Sequence, residues 1–86
     1  MISNFVLVGQ VGYIKKLENG FYSTIVYLNK YHKNKPGKQW SLPIECITKF
    51  KPKAVSGNSV LVEGEFVPSD RNSEEIEFRA KHIGVL

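Results

Sequence analysis

"NFVLVGQVGYI", residues 4–14, decides how the chain is to be read. Its Val, Ile and aromatic side chains suit a pleated, half-buried surface, so the segment is a strand. Period-two alternation sets Phe5, Leu7, Val11 and Tyr13 on one face and Val6, Val8 and Ile14 on the other. A strand with one face in a core and one in water should not be apolar on both. The second face is expected to be covered within the protomer or to meet another subunit. A homo-oligomer, dimer or tetramer, built through Val6 and Val8 is the expectation, because a small domain without disulfide or metal gains from such an interface.

Working outward, "ENG" (18–20) is a turn, since Asn and Gly tolerate positive φ, and "FYSTIVYLNKY" (21–31) is a second strand that completes a hairpin. A lysine-rich loop follows, with Pro36-Gly37 as a turn at its tip. "SLPIECIT" (41–48) reads as a third strand, where Pro43 predicts an edge position or a bulge. "KFKPKAVSG" (49–57) leaves room for a short helical stub of about one turn. "NSVLVEGEFV" (58–67) and "EEIEFRAKHIGVL" (74–86) are the fourth and fifth strands, joined by the polar loop "PSDRNS".

The 86 residues hold one core, a single domain over residues 1–86. Five strands in so short a chain are best served by closure into a barrel, which removes exposed edges. The expected fold is all-β: a five-stranded Greek-key OB-fold barrel with a helical stub between strands three and four. An SH3-like barrel fits less well, because its strands are usually shorter than the first two here. One cysteine excludes a disulfide framework and a Cys-rich zinc site, and suits a reducing compartment. The N-terminus lacks the basic start of a signal peptide, and no apolar run approaches the ~18 residues of a membrane span, so a cytoplasmic protein is expected, with no membrane partner.

Charge is unevenly divided. Residues 29–53 carry seven lysines (Lys30, Lys33, Lys35, Lys38, Lys49, Lys51 and Lys53) against the single acid Glu45, a balance of +6. Residues 54–86 carry Arg71, Arg79 and Lys81 against six acids, a balance of −3. A lysine run alone is more often a solvated loop than a site. Here Tyr31, Trp40 and Phe50 flank the lysines, and a stacked base gains ~1–3 kcal/mol on such a ring whatever its identity. Phosphates need cations and bases need flat faces; the segment supplies both. In an OB-fold it would border the groove of strands two and three, where oligonucleotides lie.

Other chemistry is poorly supplied. "GQVG" (9–12) lacks the Lys-Ser/Thr of a phosphate loop. Glu63 and Glu65 share a face of strand four and read as solvated acids. His32 and His82 have no ligand partner at metal spacing, Cys46 reads as a small buried hydrophobe, and no serine has a histidine nearby in sequence. No enzyme, metal or cofactor is expected.

Three segments resemble the bacterial and phage single-stranded DNA-binding proteins. "NFVLVGQV" is similar to that family's opening, "GNSVLVEGEF" to its Gly-x-x-Val-x-Val-Glu-Gly-x-Leu fourth strand, and "IEFRAKHIGVL" to its closing strand, with Glu77, Ala80 and Leu86 in step. "PIECITKF" is a weaker match to the third strand. The likeness spans nearly the whole chain and rests on order and spacing rather than on any one segment. Longer relatives end in a Gly/Pro-rich tail with an acidic tip, whereas this sequence ends with the fifth strand. It therefore resembles a minimal member, and the primosomal OB-fold branch fits almost as well. The resemblance implies an OB-fold that holds and protects unwound DNA in replication, recombination or repair. The alternative is a primosome or replisome assembly module acting mainly through protein contacts, with a small RNA-binding OB-fold third. It also implies Val26 and Leu28 facing inward, with Tyr27 and Tyr31 facing the groove. The candidate nucleic-acid contacts are Tyr27, Lys30, Tyr31, Lys33, Lys35, Lys38, Trp40, Lys49, Phe50 and Lys51. Trp40 and Phe50 each have two readings, as stacking rings or as packed ones; alternation groups Trp40 with Leu42, Ile44 and Cys46, and a bulge at Pro43 would reverse that.

Overall fold

A computed structural model describes residues 3–31, 39–69, 72 and 74–86; Asn29, Lys30, Tyr31, Gln39 and Trp40 are described by their backbone alone. Five strands follow one another: β1 (Asn4–Lys16), β2 (Tyr22–Tyr31), β3 (Gln39–Thr48), β4 (Ser59–Pro68) and β5 (Ile76–Val85). They close into a barrel in the order β1-β2-β3-β5-β4. β1 is long enough to pair with β4 along its first half and with β2 along its second. A short parallel contact, Cys46↔Phe78 and Ile47↔Arg79, joins β3 to β5 and completes the closure. This is the OB-fold expected from the strand pattern.

The β1–β2 turn forms as the sequence reads. Gly20 takes φ +86° and its N–H donates to the Leu17 carbonyl at 3.0 Å. Val11, Val26, Cys46, Val60 and Val62 fill the core, and Leu7, Ile14, Leu28, Ile44, Phe78 and Ile83 pack against it. Fully burying a valine is worth about 1.5–3 kcal/mol. At one end of the barrel Phe5, Phe66 and Phe78 form a ring triad, with centroids 5.1 to 5.5 Å apart.

Strict alternation fails at Gly12. Val11 pairs with Val26 and Tyr13 with Ile25, so Gly12 is the extra residue of a β-bulge. The phase of β1 inverts there: Tyr13 is exposed and Ile14 packs on the core, the reverse of the expected faces. Upstream, the alternation holds, with Phe5 buried and Val6 and Val8 exposed. A second bulge, at Lys81, does the same for β5 and brings Ile83 back to the core.

The helical stub is absent: no helix forms among the described residues. Pro52 disfavours α geometry at the residue before it, and the segment ends in a β-turn whose third residue, Gly57, sits at φ +93°. The Asn58 N–H closes that turn on the Val55 carbonyl at 3.0 Å. Pro52 and Ala54 are buried instead, and Ala54 joins the core cluster. Pro43 sits where an edge proline can: its register with Tyr27 is uninterrupted, so there is no bulge there, and the pairing of β3 with β5 begins only at Cys46.

Candidate nucleic-acid interface

The end of β3 gathers the clearest constellation. Thr48 donates its hydroxyl to the Phe50 carbonyl at 2.6 Å, which bends the chain out of the strand. The Phe50 ring is left 42% exposed. It lines a cleft of about 290 Å³ with Lys49, Glu65, Arg79, Ala80 and Lys81. Lys81 lies 3.5 Å from Glu65, a loose and largely exposed pair. Arg79 is committed: Glu77 accepts from its Nε at 2.9 Å and its Nη2 at 2.6 Å, and the guanidinium lies 5.2 Å from the Phe21 ring centroid. Lys49 and Lys51 are exposed and have no carboxylate partner among the described residues. Phe50 therefore stands in sequence between two unpaired lysines and shares a cleft with the loosely paired Lys81 and Glu65. Arg79 and Lys81 were not legible in the sequence as part of this site. They reach it only because β5 pairs in parallel with the end of β3.

Tyr27 lies on the outer face of β1 and β2. A Cβ at Gly12 would collide with Cε2 of Tyr27 and stand 3.0 Å from its Cδ2, so the ring rests directly on the bulge. Val26 and Leu28 face the core, as the resemblance implied.

The pairing of β2 with β3 extends to the other end of β3. The β2–β3 register runs unbroken from Tyr22↔Thr48 to Tyr31↔Gln39 and sets Lys30 opposite Trp40. Lys33, Lys35 and Lys38 lie outside the described residues, as do the side chains of Lys30, Tyr31 and Trp40. From Trp40 to Lys49 is nine residues of strand, about 30 Å at ~3.3 Å per residue. Of the seven lysines of residues 29–53, the described side chains are those of Lys49, Lys51 and Lys53, all beyond the end of β3.

Acids lie along β3 between its two ends, and one of them, Glu77, is buried and ion-paired with Arg79. Glu45 sits on the outer face of β3 opposite Ile25 and accepts a hydrogen bond from Ser23 at 2.6 Å. Glu45, Glu75 and Glu77 line a second cavity of about 190 Å³ with Pro43, Ser69 and Phe78. No group of three or more His, Cys, Asp or Glu suited to a metal ion occurs among the described residues. Cys46 is buried, and burial, with the charge of Glu45 adding to it, pushes its thiol up to about 12. A thiol so protonated is a poor nucleophile.

No family model matches the chain, and no curated protein matches its sequence. Solved structures do share its fold. The protein PriB from Ralstonia solanacearum superposes with a TM-score of 0.68 over 99% of this chain and 98% of that one, at 11% identity. A small single-stranded DNA-binding protein from Streptomyces coelicolor superposes with a TM-score of 0.66 over 100% of this chain and 95% of that one, at 16% identity. Identities this low establish a common barrel.

Proposed function

We propose that the protein binds single-stranded DNA, pairing lysines with phosphates and stacking bases on exposed rings, and so holds unwound strands open in replication, recombination or repair. The observation that carries this reading is Phe50, an exposed ring set in sequence between the unpaired Lys49 and Lys51 and lining one cleft with Lys81 and its partner Glu65. A base flanked by phosphates matches both the face of this ring and the charges beside it. Fold likeness to a single-stranded DNA-binding protein supports the same ligand class. Such contacts carry little sequence information, because every base has a flat face and phosphates are alike.

Anisotropy titrations of oligo-dT, oligo-rU and a duplex of equal length test the reading. The expected order is dT tightest and duplex weakest, with Phe50→Ala weakening dT binding by ~1–3 kcal/mol at unchanged melting temperature. Equal affinity for duplex and single strand would overturn it.

A second reading is favoured by one observation. Val6 and Val8 project from β1 with 64% and 58% of their surface exposed. In this reading that apolar strip is a subunit contact, and the protein acts mainly as an assembly module of a primosome or replisome. The two readings are compatible in structure and differ in strength of DNA binding.

A further inference from the structure

We propose that the Gly12 bulge builds a second base-binding platform, made of Tyr13 and Tyr27 with Lys15 beside them, that takes bases of the same single strand. The inference rests on the function proposed above and adds a site to it.

The bulge is what makes the platform. Without the extra residue, Tyr13 would continue the inward face of Phe5, Leu7 and Val11; with it, Tyr13 is 52% exposed. It stands opposite Ile25, and Tyr27 lies two residues further along β2 on the same face. The Tyr27 ring rests on Gly12, where only the absence of a Cβ leaves room for it. Gly12 has no positive φ, so its backbone does not need glycine; the ring does.

The bulge is also held in place. The Val11 N–H donates to the Asn58 carbonyl at 2.9 Å, the Gly57 N–H to the Val11 carbonyl at 2.8 Å, and the Ser56 hydroxyl to the Gly12 carbonyl at 2.6 Å. Gln10 Nε2 donates to the Gly57 carbonyl at 3.0 Å. The segment making these bonds begins at Phe50, so one loop carries the first ring site and braces the second. A bulge clamped this way can hold two rings without further ordering when a base arrives.

The rings and the lysine together point to a nucleic-acid strand as the occupant. Lys15 follows Tyr13 by two residues on the same face, is exposed and has no carboxylate partner among the described residues. Glu45, opposite Ile25 on the neighbouring strand, keeps its charge while accepting from Ser23, so the site sets one acid beside one lysine and its two rings carry the selectivity for a base-bearing ligand. Two phenol rings with an unpaired ammonium beside them are the elements that single-strand binders use, rings for bases and a cation for the backbone.

The test compares wild type, Tyr13→Ala, Tyr13→Phe and Gly12→Ala in oligo-dT titrations, with melting curves and light scattering for each. Tyr13→Ala should weaken binding by about five- to hundred-fold, and Tyr13→Phe should retain most of the affinity because the ring is kept. Gly12→Ala should weaken binding through Tyr27 while the protein still melts cooperatively. Photocrosslinking of wild type to 5-bromodeoxyuridine oligonucleotides should place adducts at Tyr13 or Tyr27, a readout independent of any variant's folding. If wild type binds oligo-dT, and Tyr13→Ala binds equally well with no crosslink at either tyrosine, the platform is overturned while the proposed function stands. A Tyr13→Ala protein that loses subunits in light scattering would assign this face to a subunit contact instead and overturn the platform. Wild type that does not bind oligo-dT overturns the proposed function and this inference with it.

Discussion

The outer face of β1 changes character at one residue. Upstream of Gly12 it shows Val6 and Val8, flanked on β4 by Glu63 and Leu61. Downstream it shows Tyr13 and Lys15, flanked on β2 by Ile25 and Ser23. The first half presents two exposed valines with the acid Glu63 at their edge, which suits a contact with another protein surface. The second half is aromatic and cationic, which suits a nucleic acid. One inserted residue lets a single strand offer two surfaces of different chemistry, because it reverses which side chains point outward.

The largest effect expected is on assembly. Val8→Lys should dissociate a dimer or tetramer seen by light scattering, since an unpaired charge buried at a contact costs several kcal/mol. The barrel itself should survive, because Val8 is already exposed in the protomer. Tyr13→Lys sharpens the contrast: it should leave the assembly intact. If both variants dissociate it, the two halves of β1 form one surface and the comparison breaks.

Smaller effects belong to the cationic regions. Replacing Lys33, Lys35 and Lys38 together with Ala should flatten the slope of log affinity against log salt by up to ~2, at roughly 0.7 per phosphate contact on single strands. Lys15→Ala should flatten it by ~0.7 if the downstream half of β1 touches a phosphate. A triple variant with an unchanged slope would leave the hairpin lysines as solvated groups. The loss should be alike for dT, dA and mixed oligonucleotides, because phosphate contacts do not read sequence.

The smallest effect lies beneath both surfaces. Thr24 is fully buried opposite Cys46, and its Oγ1 finds no hydrogen-bond partner among the described residues. Thr24→Val keeps the shape and removes the unsatisfied hydroxyl, so it should raise stability by about 1 kcal/mol in denaturant titrations without altering DNA affinity.

Much of the barrel was legible because its strands carry their own signals. The Val-rich runs, the Asn-Gly turn and the apolar alternation of Val26, Val60 and Val62 each act locally. The bulges were not legible. Gly12 and Lys81 become extra residues only when the partner strands set the register, so Tyr13 and Ile14 were assigned to each other's faces. The segment 49–57 misled for a related reason: its few residues could start a helix, but Pro52 and the positive φ of Gly57 turn it into a loop whose Ala54 completes the core. In the candidate site, Lys49 and Phe50 were legible as neighbours in sequence. Lys81 was not, since only the β3–β5 contact brings it to them. Glu45, the one acid of residues 29–53, could be counted in the sequence but not placed on the outer face of β3.

Exposed rings and unpaired lysines on this barrel are proposed to hold single-stranded DNA. The most direct measurement is a titration of oligo-dT and a duplex of equal length with the wild-type protein at several salt concentrations. Binding should favour oligo-dT and fall linearly with log salt, at roughly −0.7 for each phosphate neutralised. Absence of binding to oligo-dT, or duplex affinity as high as that for the single strand, would rule out a single-strand-binding role.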